Sequence, residues 1–164
     1  MPAKPAIPNL IMTKLQKRYG TELSIGPEID RRIKTSSAWQ GTEHDLQKAY
    51  FARIAEIIVM SDLPELYLAH AIPNGDIRDP RAGARLKAEG VKSGIPDVFI
   101  PIVESADFND PKSGLYIEFK KAGGSPSEHQ RAMLLMLQDQ NFRVIVCNDL
   151  DTAVYVTKKH LGLV

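Results

Sequence analysis

Asp97 closes the run Gly94-Ile95-Pro96-Asp97, and twenty-one residues later stands Glu118-Phe119-Lys120. If Leu115–Lys121 is a strand, its period of two puts Glu118 and Lys120 on one face, with backbones about 7 Å apart. That face lies opposite the apolar one of Leu115, Ile117 and Phe119. Should the strand opened by Asp97 pair beside it, two carboxylates and an amine meet at one spot. The carboxylates would repel each other unless a cation sits between them. Hard oxygen ligands, with no cysteine or histidine cluster nearby, suit Mg²⁺ or Mn²⁺ rather than zinc. A lysine beside such an ion can stabilise an extra negative charge or orient a water, as phosphodiester hydrolysis requires. Taken singly, each signal has a plainer alternative: an exposed Glu-Lys pair on a strand, and an aspartate that follows proline in a turn.

The flanking sequence supplies elements able to hold such a site. Thr42-Glu43-His44-Asp45 can cap a helix carrying Leu46, Tyr50, Ile54 and Ile57 or Ile58 at helical spacing to about Met60. Leu66–Ile72 has the composition of a strand, and residues 73–95, with four glycines and many bases, read as a functional loop. Asp97–Ile102 is a short β-rich run. Ser125-Pro126-Ser127-Glu128 supplies an N-cap serine, a proline at the first position and a glutamate at the third, opening a helix to about Asn141. Arg143–Asn148 reads as a strand, and Asp151 is placed to cap a last helix of about ten residues. Helix, three strands, helix, strand, helix is an α/β order with a mixed sheet.

At 164 residues, 43% hydrophobic and 25% charged, the chain has the size and composition of one globular domain. Its single cysteine, Cys147, excludes an internal disulfide and a zinc ribbon, and reads as inert core. Apolar runs are far too short for a membrane span, and no signal-peptide pattern opens the sequence, so a soluble protein of a reducing compartment is expected. The net charge of +1 is unevenly spread. Residues 1–41 hold seven Lys/Arg and three acids, while residues 42–164 hold fourteen bases and seventeen acids. Residues 1–41 are broken by Pro2, Pro5, Pro8 and Gly26-Pro27 and read as a basic arm with a helical stretch near Leu10–Tyr19. Asp76–Lys92 contains Arg78, Arg81, Arg85, Lys87 and Lys92, a set suited to phosphate contact; a solvated charged loop is the alternative. His70 suits either a core or a substrate role, and His44, His129 and His160 are expected to face solvent.

These residues carry a family resemblance. Pro96-Asp97 with Glu118-x-Lys120 resembles the signature of the PD-(D/E)xK nuclease superfamily. His70-x-x-Pro73-Asn74-Gly75, the run Gly83–Asp97, Gly114-Leu115-Tyr116-Ile117-Glu118-x-Lys120 and Gln130 are together similar to the virus-type replication-repair nuclease (VRR-NUC) domain, over about residues 43–157. Glu104–Lys112 looks like a variable insertion. The resemblance implies a restriction-endonuclease-like core, a mixed β-sheet flanked by helices, in residues 42–164. It implies a Mg²⁺- or Mn²⁺-dependent DNA endonuclease, with metal held by Asp97, Glu118, the Phe119 carbonyl and Glu43, and with Lys120 and Gln130 completing the catalytic set. Asn74 and the five bases of the loop would contact substrate. Stand-alone members resemble homodimeric nucleases selective for Holliday junctions or other branched DNA. The length fits that kind, and the cytoplasm of a bacterial or phage-infected cell is the expected setting. In a dimer, Leu10, Ile11, Leu15 and Tyr19 of the arm could pack on the partner. The alternative from another class is a DNA-binding module that keeps the fold without cutting.

Overall fold

The computed structural model describes residues 9–34, 36–73, 80–106 and 108–164. The expected substrate contacts Asn74 and Arg78 lie outside the described residues. The described elements run α1 (Asn9–Tyr19), α2 (Glu43–Met60), a 3₁₀ turn (Pro64–Leu68), β1 (His70–Ala71), α3 (Pro80–Ala88), β2 (Val98–Ile100), β3 (Leu115–Phe119), α4 (Glu128–Asp139), β4 (Arg143–Cys147) and α5 (Leu150–His160). None of these helices is long and apolar enough to cross a membrane.

The strands form one mixed sheet in the order β1-β2-β3-β4. The first two pairings are antiparallel, and β3–β4 is parallel, joined by the α4 crossover. Helices cover both faces. Leu115, Ile117 and Phe119 point with Val98, Ile145 and Cys147 into a core closed by α2 and α5. Val144 and Val146 on the other face pack with Ala132, Leu134 and Leu135 of α4, Leu15 of α1, and Leu23 and Ile29. The sheet is therefore the middle of three layers, which is the α/β core the sequence predicts.

Several local expectations are corrected. Leu66–Ile72 is not a strand. Pro64 sets a helical φ, Leu66 N–H closes a turn onto Leu63, and only the two-residue β1 remains, at the sheet edge. The loop of 73–95 contains α3, because Pro80 suits a first helical position and the following Arg, Ala, Leu and Lys are good helix formers. Gly90, at φ +99°, ends it where a side chain would be strained. Ser127, not Ser125, caps α4: its hydroxyl accepts the Gln130 N–H, and the Gln130 side chain accepts the Ser127 N–H in a reciprocal capping box. Asp149, not Asp151, caps α5 by accepting the Thr152 N–H.

α1 packs on α4, and the stretch that follows it runs along β4. Leu15 is buried on α4, and Tyr19 donates to Asp139 at its far end. Past α1 the chain runs beside β4 as a further parallel partner: Val146 N–H donates to the Ile29 carbonyl at 2.8 Å and Arg31 N–H to the Val146 carbonyl at 2.9 Å. The Asn148 side chain then holds both the N–H and the carbonyl of Ile33. Without this cover, β4 would present bare backbone groups at its edge. The apolar face of α1 that the sequence offers to a dimer partner is, at Leu15 and Tyr19, covered by the chain's own α4.

Candidate functional site

The antiparallel register pairs Val98 with Ile117, so one step further places Asp97 opposite Glu118, at the end of the sheet where β2 begins and β3 ends. Asp97 is held there by the Phe119 N–H, which donates to its Oδ2 at 2.8 Å. Glu118 and Lys120 share a face, as the strand period demands, but that face is closed by α4. Glu118 is 1% exposed and Lys120 7%. The plainer alternative of an exposed Glu-Lys pair is thus excluded, because the crossover that makes β3 and β4 parallel must lay a helix over that face.

Both partners of Glu118 reach the same oxygen. The Lys120 ammonium donates to Oε1, and the Gln130 amide donates to Oε1 at 2.5 Å. Oε2 is buried with no hydrogen-bond partner. Burial, reinforced by the negative charge of Asp97, pushes the Glu118 carboxyl up to about 8, with Lys120 opposing the shift. A buried carboxylate with one oxygen doubly bonded and the other bare, facing a second carboxylate, fits a divalent cation. Asp97 and Glu118 would hold it.

Glu43 stands at the first residue of α2, positioned by the Thr42 cap. Its Oε1 accepts the Lys121 N–H at 3.1 Å, and its Oε2 lies 3.9 Å from Lys120 Nζ. Among the described residues, no third acidic, histidine or cysteine side chain forms one metal-ligating cluster with Asp97 and Glu118. Glu43 thus touches the site through Lys120 and Lys121. The Phe119 carbonyl accepts from Lys120 Nζ at 3.0 Å. Gln130 joins two tasks: its Oε1 caps the Ser127 N–H at 3.0 Å while its amide nitrogen reaches Glu118.

Of the expected substrate contacts, Arg81, Arg85 and Lys87 lie on α3 and Lys92 just beyond it, all exposed. Arg85 pairs loosely with Glu89 at 3.5 Å.

Two histidines depart from expectation. His129 is half-buried and donates from Nε2 to the Ser93 carbonyl at 2.7 Å, tying α4 to the turn that leads into Asp97. A Cβ on Gly94 would stand 2.2 Å from that ring, so this position needs glycine for space as well as for its φ of +82°. His160 is buried, with Nε2 donating to the Ile102 carbonyl. His44 and His70 are exposed. The adjacency of His129 to Gln130 is the one signal in the sequence that could have placed it here. Arg32, whose guanidinium donates to the Gly124 carbonyl beside the site, carries no such signal.

Comparison with known proteins bears on the fold and the family. Residues 42–149 match the VRR-NUC domain. A solved structure described as a "VRR_NUC domain protein" superposes with a TM-score of 0.59 at 23% identity, covering 77% of this chain and 93% of its own. That likeness is one of fold, a restriction-endonuclease-like α/β core. No curated protein sequence matches the chain at a significant level. With the family match spanning α2 to the cap of α5, the chain belongs to the VRR-NUC family and carries a nuclease-type domain.

Proposed function

We propose that this protein is a metal-dependent DNA endonuclease that hydrolyses phosphodiester bonds, acting on junctions or other branched DNA in replication, repair or recombination. The observation that carries the proposal is the pairing of Asp97 with a Glu118 whose Oε2 is buried and bare while Lys120 is held alongside. Asp97 and Glu118 would hold Mg²⁺ or Mn²⁺, with the Phe119 carbonyl and Glu43 as helpers. When bound, such an ion supplies Lewis-acid charge on a phosphate oxygen and a more acidic water. Lys120 would orient the attacking water or stabilise charge on the pentavalent phosphorus. Its ammonium is fixed for that by Glu118 and the Phe119 carbonyl. Gln130 keeps Glu118 Oε1 occupied, so that Oε2 is the oxygen left for metal. Glu43 braces the exit of β3 at Lys121 and meets Lys120 from the solvent side. Arg81, Arg85, Lys87 and Lys92 would meet the phosphate backbone, with Asn74 and Arg78 of the preceding segment as further contacts.

We read residues 42–164 as the nuclease unit and residues 1–41 as a basic segment serving it, in the cytoplasm of a bacterial or phage-infected cell. Cutting a junction at two symmetric positions calls for two sites related by a two-fold axis, and hence a homodimer. The alternative, a DNA-binding module that does not cut, leaves the buried carboxylate without a purpose.

The test uses labelled four-way junction, flap, splayed and linear duplex DNA, with and without Mg²⁺ or Mn²⁺, and light scattering of the same sample. Metal-dependent cleavage favouring branched DNA is the expected result. Binding without cleavage under every metal condition favours the alternative. A monomer at the 18.2 kDa chain mass removes the dimer alone.

A further inference from the structure

Residues 121–127 run from Lys120, just past the end of β3, to the first turn of α4 and must deliver the Gln130 amide to Glu118. They begin with a tight turn. Gly124 N–H donates to the Lys121 carbonyl at 2.9 Å, Gly123 has φ +74°, and a Cβ on Gly124 would lie 3.0 Å from that carbonyl. Such a glycine-rich link has little stiffness of its own. Among the described residues, two long-range hydrogen bonds hold it: Lys121 N–H donates to Glu43, and Arg32 Nη1 donates to the Gly124 carbonyl.

Arg32 is aimed by a fork. Its Nε donates to Asp30 Oδ1 at 2.7 Å and its Nη2 to Asp30 Oδ2 at 2.5 Å, leaving Nη1 directed at Gly124. The pair is half-buried, with side chains 24% and 28% exposed, where such a bidentate contact keeps its geometry better than on an open surface. The guanidinium is not needed to dock its own segment. Backbone hydrogen bonds of Ile29 and Arg31 with Val146, the two hydrogen bonds between the Asn148 side chain and the Ile33 backbone, and the burial of Leu23 and Ile29 already do so.

We propose that Arg32, from outside the family-matched region, is a positioning residue: by holding the Gly124 carbonyl it fixes the β3–α4 turn, and through it the Gln130 amide on Glu118. The catalytic consequence rests on the nuclease proposal; the hold on the turn does not. In this chain the nuclease site therefore depends on the segment that runs beside β4. Arg32→Lys keeps the charge but loses the planar fork, and Arg32→Met loses both.

The test compares wild type, Arg32→Lys and Arg32→Met, all full-length. It measures single-turnover cleavage of a branched substrate in Mn²⁺, DNA affinity, and amide hydrogen exchange of the metal-free protein. Exchange in Arg32→Met should rise selectively over residues 121–130, while β4 and residues 29–33 stay protected. Its cleavage rate should fall about ten- to a hundredfold with DNA affinity held, since small displacements at a reacting centre cost this much. Arg32→Lys should fall between. Unchanged exchange over 121–130 in Arg32→Met overturns the proposal, and so does exchange that rises equally over residues 29–33 and β4. If exchange rises as expected but wild type and variant cut at one rate, the positioning role is overturned. A wild type that cuts no substrate overturns the nuclease reading instead, and the exchange pattern then upholds or overturns the Arg32 hold by itself.

Discussion

Glu118 and Asp97 face each other as carboxylates, yet their surroundings make them respond differently to removal. Asp97 accepts the Phe119 N–H, so Asp97→Ala strands a backbone donor and should cost about 1 kcal/mol of stability. Glu118 is a buried acid with a bare oxygen, so Glu118→Gln should leave the metal-free protein as stable or more so. Both should abolish metal-dependent cleavage, and denaturant melts beside cleavage assays separate the two effects. Lys120→Met should keep metal binding and lose most of the rate, because that ammonium acts at the transition state. The raised Glu118 group also sets a pH dependence. A carboxyl at about 8 when folded and 4.5 when unfolded contributes stability fully below 4.5 and loses it as pH rises through 8. Without metal, the melting temperature should therefore drop by several degrees across that window in wild type. Glu118→Gln should flatten this drop, and a wild type insensitive to pH there would refute the burial argument.

At the scale of elements, α1 and α3 divide the basic residues between two tasks. α1 spends Leu15 on the core beneath α4 and pairs Arg18 with Asp139, so it acts first as cover. Leu15→Ala should cost about 2–4 kcal/mol, read as a shift in the urea midpoint. A loss near zero would mean that α1 is not docked in solution. α3, by contrast, leaves Arg81, Arg85 and Lys87 at the surface. Neutralising all three together should lower the log–log salt slope of DNA affinity by about one unit for each phosphate that the helix no longer neutralises. An unchanged slope would take α3 out of the DNA path.

Across the whole molecule, the sheet separates chemistry from fastening. Asp97, Glu118 and Lys120 gather where β3 ends, opposite Val146, whereas Arg143 opens β4 beside Leu115 at the other end. There Arg143 grips the buried Glu104 at 2.5 and 3.0 Å, Lys112 N–H adds a third bond, and His160 Nδ1 stands 3.7 Å away. Burial alone would raise the Glu104 carboxyl, but Arg143 and Lys112 hold it below its ordinary value. Its contribution is thus present at neutral pH and lost in acid, the opposite sense to Glu118. Arg143→Met strands Glu104 and should cost about 3–5 kcal/mol. Cleavage measured well below the melting temperature should stay near wild type, and a collapse of activity with stability intact would mean that the two ends are coupled.

The spacing Asp97…Glu118-x-Lys120, the helix of Glu43–Met60, the alternation of β3 and the strand at β4 were all legible in the sequence. Each rests on local facts, a period of two or 3.6, a cap, a proline, that need no distant partner. Leu66–Leu68 misled because an apolar run has no conformation of its own until a neighbour pairs with it, and here only Leu66 found a core to enter. α3 was hidden by its flanking glycines. Only the tertiary structure decided that α4 closes the face of Glu118, which turns an exposed ion pair into a buried acid with one bare oxygen. It also decided that Gln130 spends its amide there, that α1 packs on its own chain, and that Arg32 reaches Gly124 across 92 residues. Those outcomes depend on which strand lies beside which and where a crossover helix must run, and no local pattern encodes that order.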